Sequence, residues 1–294
     1  MNAVNNAVTR LFDLVLMPLE LIGQRTALIV ISGLFGVAAL YIFKLISSQD
    51  GIAAAKGRIK GHMIEIRIYQ DDLVVVGKAV GKILLRNLQY VGLNFGPFIP
   101  LAIPFVFVMA QFVVRYAYDP IPVTPASQEV MAGTGTMIEV QLKDGQSAAV
   151  AGLSLTLPEG LRAVSPLVRS AATGRAFQEV VAVTAGTHDV VLEVPGSAPE
   201  ILQIVAGTDA TRTMQPRRVA TAGWYNVLDP EHCALLWPAE PAFEAGSPFA
   251  AVAIAYPTRD LGWLPSGEGG IMITLILASM LFGLAALKPL GVQI

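Results

Sequence analysis

Few residues in this chain have the types and spacing to do chemistry. Gln111 and Arg115 stand four apart inside the apolar run 94–116, so a helix places both on one face. An amide and a cation within a membrane-length apolar run can line a wet groove or receive a polar guest. The competing reading is an interface anchor, because Arg115 lies within a turn of the end of the run. Lys44, Asn87, Gln89 and Asn94 gather towards the opposite end, and Lys44 admits the same anchor reading.

Covalent chemistry has less to stand on. The sequence holds no GxSxG, HExxH, Walker A or GxGxxG pattern. His188 and Asp189 adjoin in a strand-like run, which reads as an exposed strand pair rather than a catalytic dyad. Glu231, His232 and Cys233 also adjoin, but neighbours on an extended chain point to opposite faces, and no oxyanion-hole pattern accompanies them. Met131, Met137 and Met214 are scattered without a metal pattern. Three histidines and one cysteine argue against structural zinc and allow no disulfide within the chain. The expectation is no enzyme, no cofactor and no metal.

The elements that must position Gln111 and Arg115 follow from composition. Of 294 residues 54% are hydrophobic and 14% charged, against about a quarter charged in an ordinary soluble domain. Mean hydropathy is +0.59. The apolar excess comes in blocks, as membrane spans require. A net charge of −2 gives no bulk attraction to nucleic acid. Residues 1–26 carry Arg10, Asp13, Glu20 and Arg25, which does not fit a cleaved signal peptide.

Three transmembrane helices are expected, with an N-terminal amphipathic helix and an all-β extracytoplasmic domain. Residues 1–26 hold the amphipathic helix. Val4, Val8, Leu11, Phe12, Val15, Leu19 and Ile22 recur on it at helical spacing, so it either lies in the membrane interface or packs against the spans. Residues 27–47 form the first span and 94–116 the second. Pro97, Pro100 and Pro104 crowd the first half of that second span and are expected to kink it. Residues 48–93 form a polar loop with helical periodicity, which Gln70-Asp71-Asp72 can break into a hairpin. Residues 117–268 alternate strand-like runs with turn residues, at 137–142, 148–157, 177–185, 188–194, 200–207 and 249–256. This pattern suits a small barrel or, as preferred here, a β-sandwich. Residues 269–294 supply the third span and a short tail.

Basic residues in short loops set orientation. The 48–93 loop holds Lys56, Arg58, Lys60, Arg67, Lys78, Lys82 and Arg86 against Asp50, Glu65, Asp71 and Asp72. The loop and the C-terminus are therefore expected in the cytoplasm, with the N-terminus and the β domain outward, across a bacterial inner (cytoplasmic) membrane.

The order of these parts, with the stretch Arg86-Asn87-Leu88 to Asn94-Phe95-Gly96-Pro97-Phe98-Ile99-Pro100 and the apolar Leu101 to Phe107, resembles the YidC-like membrane protein insertase superfamily. Its three-span branch, with the archaeal YidC-like proteins and the third subunit of the endoplasmic-reticulum membrane protein complex, is the nearest likeness. The resemblance covers residues 1–118 and 270–290. It implies a chaperone that eases substrate helices into the bilayer through a hydrophilic groove. Gln111 and Arg115 would line that groove, Lys44, Asn87 and Asn94 would stand at its mouth, and the prolines would bend its wall. The partners so implied are the lipid bilayer, newly made membrane proteins and other subunits of a membrane complex. The short glycine-bearing loop, the large outward domain and the lack of a basic tail depart from the family pattern. The alternative is a membrane-anchored interaction or scaffold subunit whose β domain binds a partner.

Overall fold

The structure is a computed structural model that describes residues 2–125, 127–207, 213–221 and 232–292, with side chains from Asn5 onward. Among these, three helices are long and apolar enough to cross a membrane, and a β-sheet region stands apart from them. The chain divides into two compact units, Met1–Leu28 with Val106–Ile273, and Ile29–Phe105 with Thr274–Ile294.

In the first unit, α1 (Asn2–Glu20) lies beside the C-terminal part of α5 (Phe98–Tyr116). After α5 the chain enters two open sheets rather than a closed barrel. The larger is built from β1 (Thr136–Leu142), β3 (Leu161–Ala163), β4 (Val168–Ser170), β5 (Arg175–Ala182), β8 (Arg217–Val219) and β9 (Phe249–Ile254). Its order is β3-β5-β1-β9-β8, with β4 also paired to β5. The smaller has the order β2-β6-β7, from β2 (Ser154–Thr156), β6 (Gly186–Glu193) and β7 (Glu200–Ala206). Alternation explains which side is buried. Thr136, Ile138, Val140 and Leu142 point inward on β1, as do His188, Val190 and Leu192 on β6. The segment leaving α5 ties the sheets together, since Ile121 bridges Ala206 of β7 and Val123 bridges Ala182 of β5.

The run 148–157 is not one strand. A 3-10 turn (Ser147–Gly152) precedes the three residues of β2. Its sequence is mostly alanine and glycine, which lack the branched side chains that favour a pleated strand. The chain also comes close to Pro195 here, where a Cβ on Gly152 would lie 2.7 Å from the ring. Strands β3, β4 and β8 are three residues each, too short for alternation to show in sequence.

In the second unit, α3 (Gln49–Ile68) and α4 (Leu73–Phe95) form a helical hairpin. Asp72 starts α4 by accepting the backbone N–H groups of Val74 and Val75. Ile52, Ala55 and Ala79 are buried between the arms. Lys56 lies over the Tyr90 ring, and Lys82 pairs with Glu65. The helix leading into the second expected span begins at Leu73, well before residue 94, and breaks only at Gly96 and Pro97. α2 (Gln24–Ile46) crosses α6 (Gly267–Leu290) closely within this unit. A Cβ on Gly36 would lie 2.1 Å from the Ser279 carbonyl oxygen, so only glycine fits that crossing.

Candidate functional site: a polar seam between two helices

The seam is built from residues four apart on two helices. On α1, Asn5, Thr9 and Asp13 share one face, with Leu16 and Glu20 continuing it. On α5, Gln111, Arg115 and the adjoining Phe112 and Tyr116 face them. Gln111 donates from Nε2 to Thr9 Oγ1 at 2.9 Å. Arg115 donates from Nη2 to Asp13 Oδ1 at 2.7 Å, with the Thr9 carbonyl at 3.4 Å and Gln111 Oε1 at 3.5 Å. Tyr116 donates to Glu20 at 2.9 Å. Phe12 meets Phe112 edge to face, with centroids 6.2 Å apart.

Gln111 and Arg115 are each 1% exposed. A buried guanidinium loses much of its hydration, and a carboxylate at hydrogen-bond distance restores part of it. The compensation is incomplete, because Arg115 Nε and Nη1 and Asn5 Oδ1 are buried without a hydrogen-bond partner. An arginine carries five N–H donors, so the seam keeps unmet capacity to donate. A second arginine adjoins the seam at the C-terminal end of α5. Arg259 donates to Asp119 Oδ1 at 2.6 Å, to the Arg115 carbonyl at 2.9 Å and to Gln24 Oε1 at 3.1 Å.

The rest of α1 faces the other way from what a water-soluble protein requires. Leu11, Leu14, Val15 and Met17 are exposed, Leu14 to 76%. The inner face carries the buried Asn5 and the half-buried Thr9 and Asp13 beside the fully buried Leu16, and Leu11 and Leu14 are outside. Val4, counted on the apolar face from sequence, lies outside the described side chains.

Other candidates fall elsewhere. Lys44 donates to the Leu290 carbonyl at 2.6 Å, capping the end of α6. Asn94 is buried and donates to the Tyr90 carbonyl at 2.7 Å, with Oδ1 unpartnered. Asn87 is exposed, and Gln89 accepts from Arg86 at 2.7 Å. None of Lys44, Asn87 and Asn94 bonds another. Pro97 occupies the break before α5, and Pro100 sits in the first turn of α5, where a missing N–H costs little. Pro104 alone of the three lies in the helix interior, where it removes a bond to the Pro100 carbonyl.

His188 is not exposed. It takes an inward position on β6 and its Nε2 lies 2.9 Å from the Thr184 carbonyl, while Asp189 on the opposite face accepts from Gln203. Glu231 lies outside the described residues, and Cys233, two residues on, is buried. Sequence reasoning passed over Thr9, Asp13, Glu20, Asp119 and Arg259. The spacing of Asn5, Thr9 and Asp13 at four residues was the signal available for the first two.

Two clefts open on the β region, of about 350 Å³ beside Gln128, Glu129 and Arg162, and of about 300 Å³ beside Tyr118, Arg217, Trp237 and Glu268. Burial pushes the Tyr118 hydroxyl upward, and its hydrogen bond to Glu268 adds to the shift. Burial also pushes the Glu240 carboxyl up to about 7, against the opposing pull of Arg218. Glu179 is held below the usual carboxylate range by the backbone N–H groups of Gly133 and Gly135.

Comparison with known proteins found no matching family model, no matching curated protein and no matching solved structure.

Proposed function

We propose that this chain is a membrane-embedded helper of helix insertion, working without covalent chemistry and akin to the YidC-like insertases that its first 118 residues resemble. The observation that carries this reading is the buried seam in which Arg115 Nε and Nη1 and Asn5 Oδ1 have no partner. An unpartnered buried donor costs free energy on the order of 1–3 kcal/mol. A passing polar segment, or water accompanying it, relieves that cost. A polar group crossing hydrocarbon alone faces a barrier of several kcal/mol, which such a seam lowers.

On this reading the three apolar helices span a bacterial cytoplasmic membrane. The basic hairpin and the C-terminus lie in the cytoplasm, and the β region, packed as a sandwich, lies outside. The outward leucines of α1 support it, because lipid rather than water suits them. The partners are lipid and newly made membrane proteins.

A second reading keeps the membrane anchor and assigns the work to the β region as an interaction or scaffold subunit. The two clefts on that region favour it, since Arg115 and Gln111 line neither.

Depletion of the protein, followed by pulse-labelling of newly made small membrane proteins, separates the two. Insertion reading: a subset stays protease-accessible on the cytoplasmic side. Normal insertion of every one of them contradicts it and leaves the scaffold reading standing.

A further inference from the structure

β3 lies at one end of the larger sheet, and part of its backbone edge is unpaired. Val183 donates to the Gly160 carbonyl at 2.9 Å, and Val164 to the Glu179 carbonyl at 2.8 Å. Bonded and non-bonded pairs alternate along an antiparallel ladder, so Leu161 and Ala163 turn their backbone groups away from β5. The Leu161 N–H goes to the Pro158 carbonyl. Among the described residues nothing bonds the Leu161 carbonyl or the N–H and C=O of Ala163. Other edges are reached by side chains or loops. On β7, Arg218 donates to the Ile201 carbonyl, Val205 donates to the Tyr256 hydroxyl, and Ile121 bonds Val205 and Gly207. On β8 the Val219 carbonyl accepts from Phe243. Ahead of β2, Arg169 donates twice to the Leu153 carbonyl. An uncovered edge is a template for another strand.

The cleft of about 350 Å³ runs beside this edge, with 162–164 as one wall and 127–130 as the other. Both walls are tied down. Arg162 donates from Nη2 to the Gln128 carbonyl at 3.0 Å. Just past residue 130, the backbone N–H groups of Gly133 and Gly135 grip the Glu179 carboxylate at 2.8 and 2.6 Å. A cleft already in place lowers the ordering cost of binding. The far wall offers backbone as well, since Glu129 and Val130 bond nothing among the described residues. The volume is at the lower end of ligand-sized pockets. It suits a few residues of one extended chain and is too narrow for the edge of a second folded sheet. Charge narrows the guest further. The Glu129 carboxylate is exposed and makes no ion pair among the described residues, whereas Arg162 is already held by Gln128. The unmatched charge in the cleft is therefore negative.

We propose that this cleft takes an extended peptide segment of a partner protein as an added strand beside β3, with a lysine or arginine of that segment set against Glu129. The guest backbone bonds the Leu161 carbonyl and both groups of Ala163. Those bonds hold any extended chain, and Glu129 selects among them by charge. The proposal goes beyond both readings above and depends on neither.

The test uses the full chain in detergent micelles and a fluorescein-labelled peptide, Thr-Val-Thr-Lys-Thr-Val-Thr, read by anisotropy. The expected result is saturable binding, about threefold or more tighter than for the same peptide with glutamate in place of lysine. Methylating alternate backbone nitrogens of the peptide abolishes it. Ala163→Pro removes an N–H that faces away from β5, which an edge strand tolerates, and weakens binding about tenfold with the thermal melt unchanged. Glu129→Lys, at an exposed position, reverses the preference to the glutamate peptide and tests the site even if Ala163→Pro fails to fold. No saturable binding overturns the proposal, as does binding that survives methylation or a charge preference unmoved in Glu129→Lys. So do concentration-dependent dimers that Ala163→Pro dissolves, because they would seat a second copy at this edge instead.

Discussion

The β region and α1 differ in which residues they leave outside. On β1 and β6 the inward residues include Ile138, Val140, Val190 and Leu192, and Asp189 and Glu193 stand at the surface. On α1 the inward stripe holds Asn5, Thr9 and Asp13 beside the buried Leu16, and the outward face holds Leu11, Leu14 and Met17. α4 shows leucines on its outer face as well. One chain follows both patterns when its parts face two solvents. Water drives apolar groups inward, whereas lipid removes that drive and leaves polar contact and close packing to hold helices together. The α1–α5 seam uses the first device and the α2–α6 crossing at Gly36 uses the second.

The contrast breaks most sharply under the same substitution in both regions. Ile138→Asp buries a carboxylate in the sheet and is expected to cost about 4 kcal/mol or more, unfolding the β region in a protease-protection assay. Leu14→Asp is expected to leave the thermal melt of the detergent-solubilised protein within about 0.5 kcal/mol. Its effect falls on lipid, as weaker retention of α1 at the bilayer in a lipid-quenching assay. If both changes destabilise the soluble fold equally, the two-solvent account fails.

Helix packing comes next. Gly36→Leu places side-chain atoms against the Ser279 backbone and is expected to destabilise the α2–α6 crossing by about 3 kcal/mol, read as loss of monodisperse protein on gel filtration. Gly57→Leu, on the open face of α3, should leave the profile unchanged.

The seam is third. Asp13→Ala and Arg115→Ala are expected to be coupled by about 1–2 kcal/mol in a double-mutant cycle of thermal unfolding, since the side chain of Asp13 is partly exposed and screened. Additive effects would reduce Arg115 to a terminal anchor.

The smallest effect concerns pH in the β region. The Glu240 carboxyl is raised to about 7 in the folded state, so folding takes up a proton between the unfolded carboxylate value and that point. Stability from this group is full below about pH 4 and is lost as pH rises through 7. Glu240→Gln should flatten that decline, gaining on the order of 1–2 kcal/mol at pH 8 in urea titrations.

Much of this was legible in the sequence. The three apolar blocks and the runs around β1, β5, β6, β7 and β9 declared themselves through length and alternation. The hairpin break at Gln70-Asp71-Asp72 showed as a polar stretch within the helical spacing, and the capping role of Asp72 came from the structure. Gln111 and Arg115 stood out because charge and amide are rare within a span. Their partners did not, because Asp13 and Arg259 are a hundred or more residues away and become neighbours only through the fold. The inversion of α1 was also hidden. Periodicity reports that a helix has two faces and cannot say which one meets protein.

If α5 carries the chain across a bilayer, the hairpin lies on one side and the sheets on the other. Membrane-impermeant thiol labelling of Gln70→Cys and Asp144→Cys in sealed right-side-out vesicles tests it most directly. The account predicts that Asp144→Cys reacts at once and Gln70→Cys only after the membrane is opened. Equal labelling of both positions before opening would contradict it.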